Sequence, residues 1–406
     1  MIKEYFDNLI QGIENSLNEN SKKISPRKAY ALELARFGSR LYSENERIAW
    51  CGLTVPFDLL SAMNITSCFV EFVGAMLSSM GSVSDFIKEA EMEGFPGDLC
   101  SYHRSIIGAT KKDFMPKPDF LIGTSCPCSG GLAVMENLAS HFKKDFFVLN
   151  IPQSDSKEHV KYLADQIKYM VKFIAEHTGE PMDKEKLQQA ILYTNEAREI
   201  MAEVYQLAQS VPSPTNSQLL ANIGIAYALL LGTPAAVNIA KIYRDDFVQK
   251  VKSNTSGAQK ERIRLLWIQN RIQFKNNLIN MMEQEYNAVI VADELNDITW
   301  EPIDPDDPFT SMALRSISIP FNGKGQRRID HLIDMAKRYK IHGAINPCNW
   351  GCRQGTGMRG IIEQSLKKIG VPVLNLEVDC IDSTNFSEGQ IKTRIQAFLE
   401  MIEERL

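Results

Sequence analysis

The chain has 406 residues, 44% of them hydrophobic and 23% charged, with a formal net charge of −5 at pH 7. That is length for two or three domains at one per ~100–200 residues, and the balance excludes a disordered chain, a collagen-like repeat and a basic nucleic-acid binder. No apolar run approaches the ~20 residues of a membrane span, and the acidic amphipathic start is unlike a signal peptide. The expectation is a soluble cytoplasmic protein that takes neither nucleic acid nor a membrane as partner.

Residues 1–45 read as a polar helical segment. A strand at 47–50 runs into Cys51-Gly52, and a helix follows at 55–63. Residues 120–122 form a strand that ends in the Gly-rich turn 123–131; then come a helix at 132–141 and a strand at 146–149. Strand, turn, helix, strand is the grammar of a parallel sheet with crossovers. Between 154 and 231 the pattern turns helical. Val160, Leu163, Ile167, Val171 and Ile174 recur at helical spacing until Gly179 and Pro181, and Leu187, Ile191, Ile200, Val204 and Leu207 mark a second helix stopped at 211–214. A third helix is expected at 217–231. Strands return at 263–268, 288–291, 343–346 and 373–376, alternating with helices at 274–284, 329–338, 357–369 and 390–405. The fold class is α/β: two Rossmann- or flavodoxin-like parallel-sheet domains with a helical connector and an N-terminal helix. The expected domains are 1–45 (N-terminal segment), 46–153 (first α/β), 154–258 (connector) and 259–406 (second α/β).

Eight cysteines carry the chemical signal: Cys51, Cys68, Cys100, Cys126, Cys128, Cys348, Cys352 and Cys380. A reducing cytosol disfavours a disulfide set, and clustered cysteines in such a chain point to metal or catalysis. Cys51, the Cys126/Cys128 pair and the Cys348/Cys352 pair follow expected strands, and ligands of open α/β sheets collect beyond the carboxyl ends of strands. Thiolates suit zinc or iron–sulfur clusters. Gly130-Gly131 leaves backbone N–H groups free to face an anion, and 346–357 is a similar polar loop opening a helix. Core packing and a four-thiolate zinc site are the competing readings, although neither Cys-x-Cys nor Cys-x-x-x-Cys is the commonest zinc spacing. Cys68 and Cys380 read as buried small hydrophobes, and His103 and His342 as hydrogen-bonded histidines.

Taken together, several fragments resemble the 2-hydroxyacyl-CoA dehydratase family, with its related benzoyl-CoA reductases and double-cubane reductases. They are Asp98-Leu-Cys100-Ser-Tyr-His-Arg104, Asp119-Phe-Leu-Ile running to Cys128, the helix Met135-Glu-Asn-Leu-Ala-Ser140, and Asn349-Trp-Gly-Cys352-Arg353 followed by Gly370-Val-Pro372 and Asp379. Trp50 to Pro56, Glu71 and Pro212-Ser-Pro214-Thr-Asn216 extend the likeness over nearly the whole chain from Ile48. The resemblance implies an iron–sulfur protein with its cluster between two α/β domains, charged by a separate ATP-hydrolysing iron–sulfur activator. In agreement, the chain has no Gly-x-x-x-x-Gly-Lys-Ser/Thr phosphate loop of its own.

The dehydratases of that family use three cysteines, which correspond to Cys100, Cys128 and Cys352. Here Cys126, Cys348 and Cys51 stand beside them, which matches the six thiolates of the double-cubane branch. The leading expectation is thus a low-potential reductase of a small substrate, with an [8Fe–9S] double cubane on Cys51, Cys100, Cys126, Cys128, Cys348 and Cys352, acting as a homodimer. The alternative is one subunit of a heterodimeric 2-hydroxyacyl-CoA dehydratase or benzoyl-CoA reductase with a [4Fe–4S] cluster and ketyl-radical chemistry. Glu71, and Cys51 near the substrate, are the catalytic candidates, with His103 or His342 as further proton donors. Arg327, Arg328, Arg353 and Arg359 are candidates for CoA phosphates. A non-enzymatic carrier with a closed cluster or zinc is the third reading.

Overall fold

Six of the eight strands among the described residues are short runs buried throughout, as expected where helices cover both faces of a parallel sheet, while Phe146–Leu149 and Val373–Val378 at the sheet edges are only partly buried. The protein is described from a computed structural model, which covers residues 2–20, 24–221 and 223–406. Residues 1 and 21–23 of the expected N-terminal segment, and residue 222 of the expected third connector helix, lie outside the described residues.

The first sheet contains β1 (Ile48–Cys51), β2 (Thr66–Phe69), β3 (Phe120–Thr124) and β4 (Phe146–Leu149) in the order β2-β1-β3-β4, all parallel. The second contains β5 (Ile263–Trp267), β6 (Ala288–Asp293), β7 (Gly343–Asn349) and β8 (Val373–Val378) in the order β6-β5-β7-β8, again all parallel. Each sheet therefore grows one strand to one side and then reverses. The reversal falls between β1 and β3 in one sheet and between β5 and β7 in the other, and such switch points are where open α/β sheets bind ligands. The α/β expectation with two parallel sheets is met.

Long helices join the two sheets. Lys157–Thr178 is capped by Ser156, whose hydroxyl accepts from His159 N, and it ends at Gly179 in the left-handed conformation (φ 72°). Lys184–Ala208 is capped by Asp183, which accepts from the Glu185 and Lys186 N–H groups. A third long helix, Pro234–Lys252, packs back on Lys184–Ala208. The expected helix at 217–231 is replaced by turns, a short helix Ile223–Ala226 and a 3-10 turn Tyr227–Leu230. Side chains have captured its backbone: Asn216 accepts from Gln218 and Leu219 N, Glu283 from Ser217 N, and Asn296 from Gly224 N while donating to Leu220 O. No helix among the described residues is long and apolar enough to cross a membrane.

The halves are tied together directly. Ser78 Oγ donates to Ile381 O and Ser101 Oγ to Asp379 Oδ1, both at 2.7 Å. Asp58, buried in the short helix Phe57–Ala62 that follows β1, takes both terminal nitrogens of Arg315 at 2.7 and 2.8 Å and the Thr194 hydroxyl at 3.2 Å. One carboxylate thereby joins the first half, the connector and the second half.

Candidate metal centre

Both switch points end in cysteine turns. After β3 the chain enters Ser125-Cys126-Pro127-Cys128, where the hydroxyls of Thr54 and Thr124 donate to the Cys126 carbonyl at 3.0 and 2.8 Å. After β7 it enters Trp350-Gly351-Cys352. The two turns touch: Gln354 Nε2 donates to Pro127 O. Gly351, at φ 73°, packs so closely on the Cys100 backbone that a Cβ there would stand 2.5 Å from Cys100 N. Cysteines more than two hundred positions apart thus share one seam.

Three of the eight cysteines occupy helix N-caps, and they are one set. Cys100 caps Ser101–Lys111, Cys128 caps Ser129–Phe142 and Cys352 caps Arg353–Thr356. Each thiol lies within electrostatic range of the other two. Burial pushes all three thiols up from their ordinary value. Backbone N–H groups oppose that shift: Tyr102 and His103 at Cys100, Gly131 and Gly130 at Cys128, Gln354 and Gly355 at Cys352. The Gly131 N–H donates to Cys128 Sγ at 3.3 Å. Unpaired N–H groups at a helix start favour negative charge, so each thiol sits where a thiolate is best accommodated.

Buried polar atoms without partners border the same place. They include Glu71 Oε2, His103 Nδ1, Gln269 Oε1 and Asn349 Nδ2. A Cβ at Gly131 would lie 3.5 Å from both Cys128 Sγ and Glu71 Oε1, and one at Gly130 would lie 2.9 Å from the His103 ring. Burial raises the Glu71 carboxyl to about 7, against an ordinary 4.5, and lowers His103 to about 4 from 6.5. Gln269 Nε2 stands 3.9 Å from Cys352 Sγ. Buried polar groups are normally satisfied. Of these atoms Asn349 Nδ2 is a donor, and Glu71, its carboxyl raised to about 7, can donate while protonated. These two suit an anionic, sulfur-ligated group, whereas Gln269 Oε1 can only accept. Among the described residues no three His, Cys, Asp or Glu side chains gather tightly enough for one bare metal ion.

The other expected site residues lie differently. Cys51 ends β1 with its thiol turned to Ala49 O at 3.7 Å, and it acts electrostatically on Cys68. Cys126 sits in the same turn as Cys128, which with burial pushes the Cys126 thiol up. Cys348 lies within β7, its thiol 3.6 Å from Asn346 O and 3.7 Å from Asn375 Oδ1, with Arg359 nearby. Cys380, read as a plain hydrophobe, is fully buried and within electrostatic range of Cys352, Cys100 and Cys348. His342 sits at the amino end of β7, accepting from Arg264 N at 3.2 Å, far from the carboxyl-end turns. Of the arginines, Arg328 is buried on Glu294, Arg359 pairs with Glu377, Arg327 donates to Ile317 O and Arg353 is exposed. Reading the sequence missed Gln269 and Gln354. Gln354 stands in the polar loop after β7, but only the fold brings it to Pro127.

An α/β protein with two facing switch-point turns, each delivering a cysteine at a helix N-cap, is the class defined by this fold and site. Residues 52–402 match the family described as 2-hydroxyglutaryl-CoA dehydratase, D-component, and the chain belongs to that family. It is 23% identical to the (R)-phenyllactyl-CoA dehydratase alpha subunit of Clostridium sporogenes, over 95% of this chain and 98% of the relative. It is 23% identical to the lactoyl-CoA dehydratase subunit alpha of Anaerotignum propionicum (90% and 92%) and 21% identical to a benzoyl-CoA reductase subunit of Thauera aromatica (87% and 86%). The named relatives are enzymes, dehydratases and a reductase, so this is an enzyme family.

Proposed function

We propose that Cys100, Cys128 and Cys352 hold a [4Fe–4S] cluster in the seam, and that the protein is a catalytic subunit of a 2-hydroxyacyl-CoA dehydratase. The observation that carries this reading is the set of three helix-capping thiols within range of one another, bordered by unpartnered Glu71 and His103. When bound, the cluster supplies electrons at low potential to the thioester and an iron for a substrate oxygen.

The chain's own residues do the rest. The capping N–H groups stabilise the thiolates and, through them, the negative charge of the site. Glu71, raised to about 7 by burial, carries a proton at Oε2 or takes one near neutral pH, beside Cys128. His103, lowered to about 4, stays neutral, and one ring nitrogen is free to accept. Burial of the seam keeps water from the reacting groups.

Relatives that are themselves named as single subunits support an unlike partner subunit. The family likeness, with no phosphate loop in this chain, supports an ATP-hydrolysing activator as the electron source. A second reading, the [8Fe–9S] double-cubane reductase acting as a homodimer, is favoured by the position of Cys126 beside Cys128 in one turn. Anaerobic purification with iron and sulfide analysis separates the two. About four irons per chain, with water loss from a 2-hydroxyacyl-CoA once activator and partner are added, supports the dehydratase; about eight, lowered by Cys51→Ser or Cys348→Ser, supports the double cubane.

A further inference from the structure

One side chain spans the two cysteine turns. Gln354, two positions beyond Cys352, donates from Nε2 to the Pro127 carbonyl at 2.5 Å, between Cys126 and Cys128. Its own carbonyl accepts from Arg328 Nη1 at 2.7 Å. Its backbone N–H faces the Cys352 sulfur. Arg328 in turn grips both oxygens of Glu294, at 2.6 and 2.9 Å, with its guanidinium 4.8 Å from the Phe321 ring centroid. Both charged side chains are at most 2% exposed.

A buried ion pair is a poor source of stability, because desolvation consumes most of the Coulomb gain, and apolar side chains of similar volume often serve as well. What apolar side chains lack is a donor for the Gln354 carbonyl. A bidentate Arg–carboxylate pair is also stiff, so the carbonyl it holds has little freedom to drift. The contact of Gly351 with Cys100 fixes a different span, Cys100 to Cys352. Among the described residues, Gln354 is the side chain hydrogen-bonded from the second cysteine turn to the first.

We infer that Gln354 is a positioning residue. The Glu294–Arg328 pair clamps its backbone, its amide ties down the Cys126–Cys128 turn, and together these contacts set the separation of the Cys128 and Cys352 sulfurs. The inference rests on the reading that those two thiolates share one cluster.

The test is Gln354→Met, close in shape but without a donor, compared with wild type after anaerobic iron and sulfide reconstitution. The readouts are iron content, the EPR spectrum of the reduced protein, release of iron to a chelator, and thermal melting. The expected result is melting lowered by a few degrees at most, a changed EPR line shape and iron release about fivefold faster, which corresponds to one buried neutral hydrogen bond. Arg328→Lys keeps the charge but loses the planar fork, and it moves the same readouts in the same direction. Should Gln354→Met fail to fold, Gln354→Asn, an amide one methylene too short, decides by the same measurements. Wild-type release rate and spectrum in the variant overturn the clamp while leaving the cluster reading intact. A wild type that takes up neither iron nor sulfide overturns both.

Discussion

The two halves share a strand order but fix their cysteine turns by different means. In the first half the turn is held by close backbone approach and hydroxyl contacts, with Gly130 against His103 and Thr54 and Thr124 on the Cys126 carbonyl. Its buried polar atoms, Glu71 Oε2 and His103 Nδ1, remain unpartnered. In the second half the framework under the turn is ionic: Arg328 with Glu294 and Arg271 with Asp293, all nearly without exposure. One frame thus carries two tasks. The first half keeps titratable groups unspent beside the thiols, whereas the second spends its charges on rigidity.

The largest expected effect tests whether the halves meet on one object. Cys128→Ala in the first half and Cys352→Ala in the second each reduce bound iron more than about tenfold, since a cluster held by three thiolates does not survive the loss of one; iron analysis after anaerobic purification reads this. If one variant keeps its iron, the halves do not share the group.

Next comes the ionic framework. Glu294→Ala leaves the Arg328 guanidinium buried without its carboxylate, at a cost of about 3–5 kcal/mol in urea unfolding. A loss below about 1 kcal/mol would mean that the second half is not held by its charges.

A slightly smaller effect belongs to the unspent side. In the cluster-free protein the Glu71 pKa is about 7, above its ordinary 4.5. Its contribution to stability is therefore fully present below about 4.5 and declines as pH rises through 7, by about 3 kcal/mol in total. Glu71→Gln removes that decline and makes the variant more stable than wild type at pH 8. His103 works in the opposite sense: depressed to about 4, it contributes stability above 6.5 that is lost as pH falls towards 4. Equal pH slopes in wild type and Glu71→Gln would contradict the burial of an unpartnered carboxyl.

The smallest expected effect on the fold sharpens the picture of the cradle. Gly131→Ala places its methyl at ordinary contact distance from Cys128 and Glu71, so melting should change little. The methyl nevertheless enters the space beside the thiol, and iron uptake should fall. A variant that loads as well as wild type would show that the cluster does not use that space.

Much of this was legible in the sequence, and the reasons are physical. Strands buried on both faces are dense apolar runs, so β3, β5 and β7 begin at the expected residue, and the edge strand β4, apolar though partly exposed, appears where expected. The turn signals after β3 and β7 located both cysteine loops. The strand β2 escaped because Thr66-Ser-Cys-Phe69 is short and half polar. The helix Ser101–Lys111 escaped because its start is polar, Ser-Tyr-His-Arg-Ser, with few apolar residues to mark it, although the fold buries all of its first ten residues. The Gln354–Pro127 bond and the burial of Arg328 arise from tertiary packing, and no local pattern announces them. Arg328 read as an exposed phosphate ligand because an arginine on a helix is usually solvated.

The most direct measurement is an anaerobic crystal structure with anomalous differences collected at the iron edge. One compact iron peak bonded to the sulfurs of Cys100, Cys128 and Cys352 together is the predicted result. Iron bound by cysteines of one half alone, or none at the seam in protein that was isolated and kept free of oxygen, would contradict it.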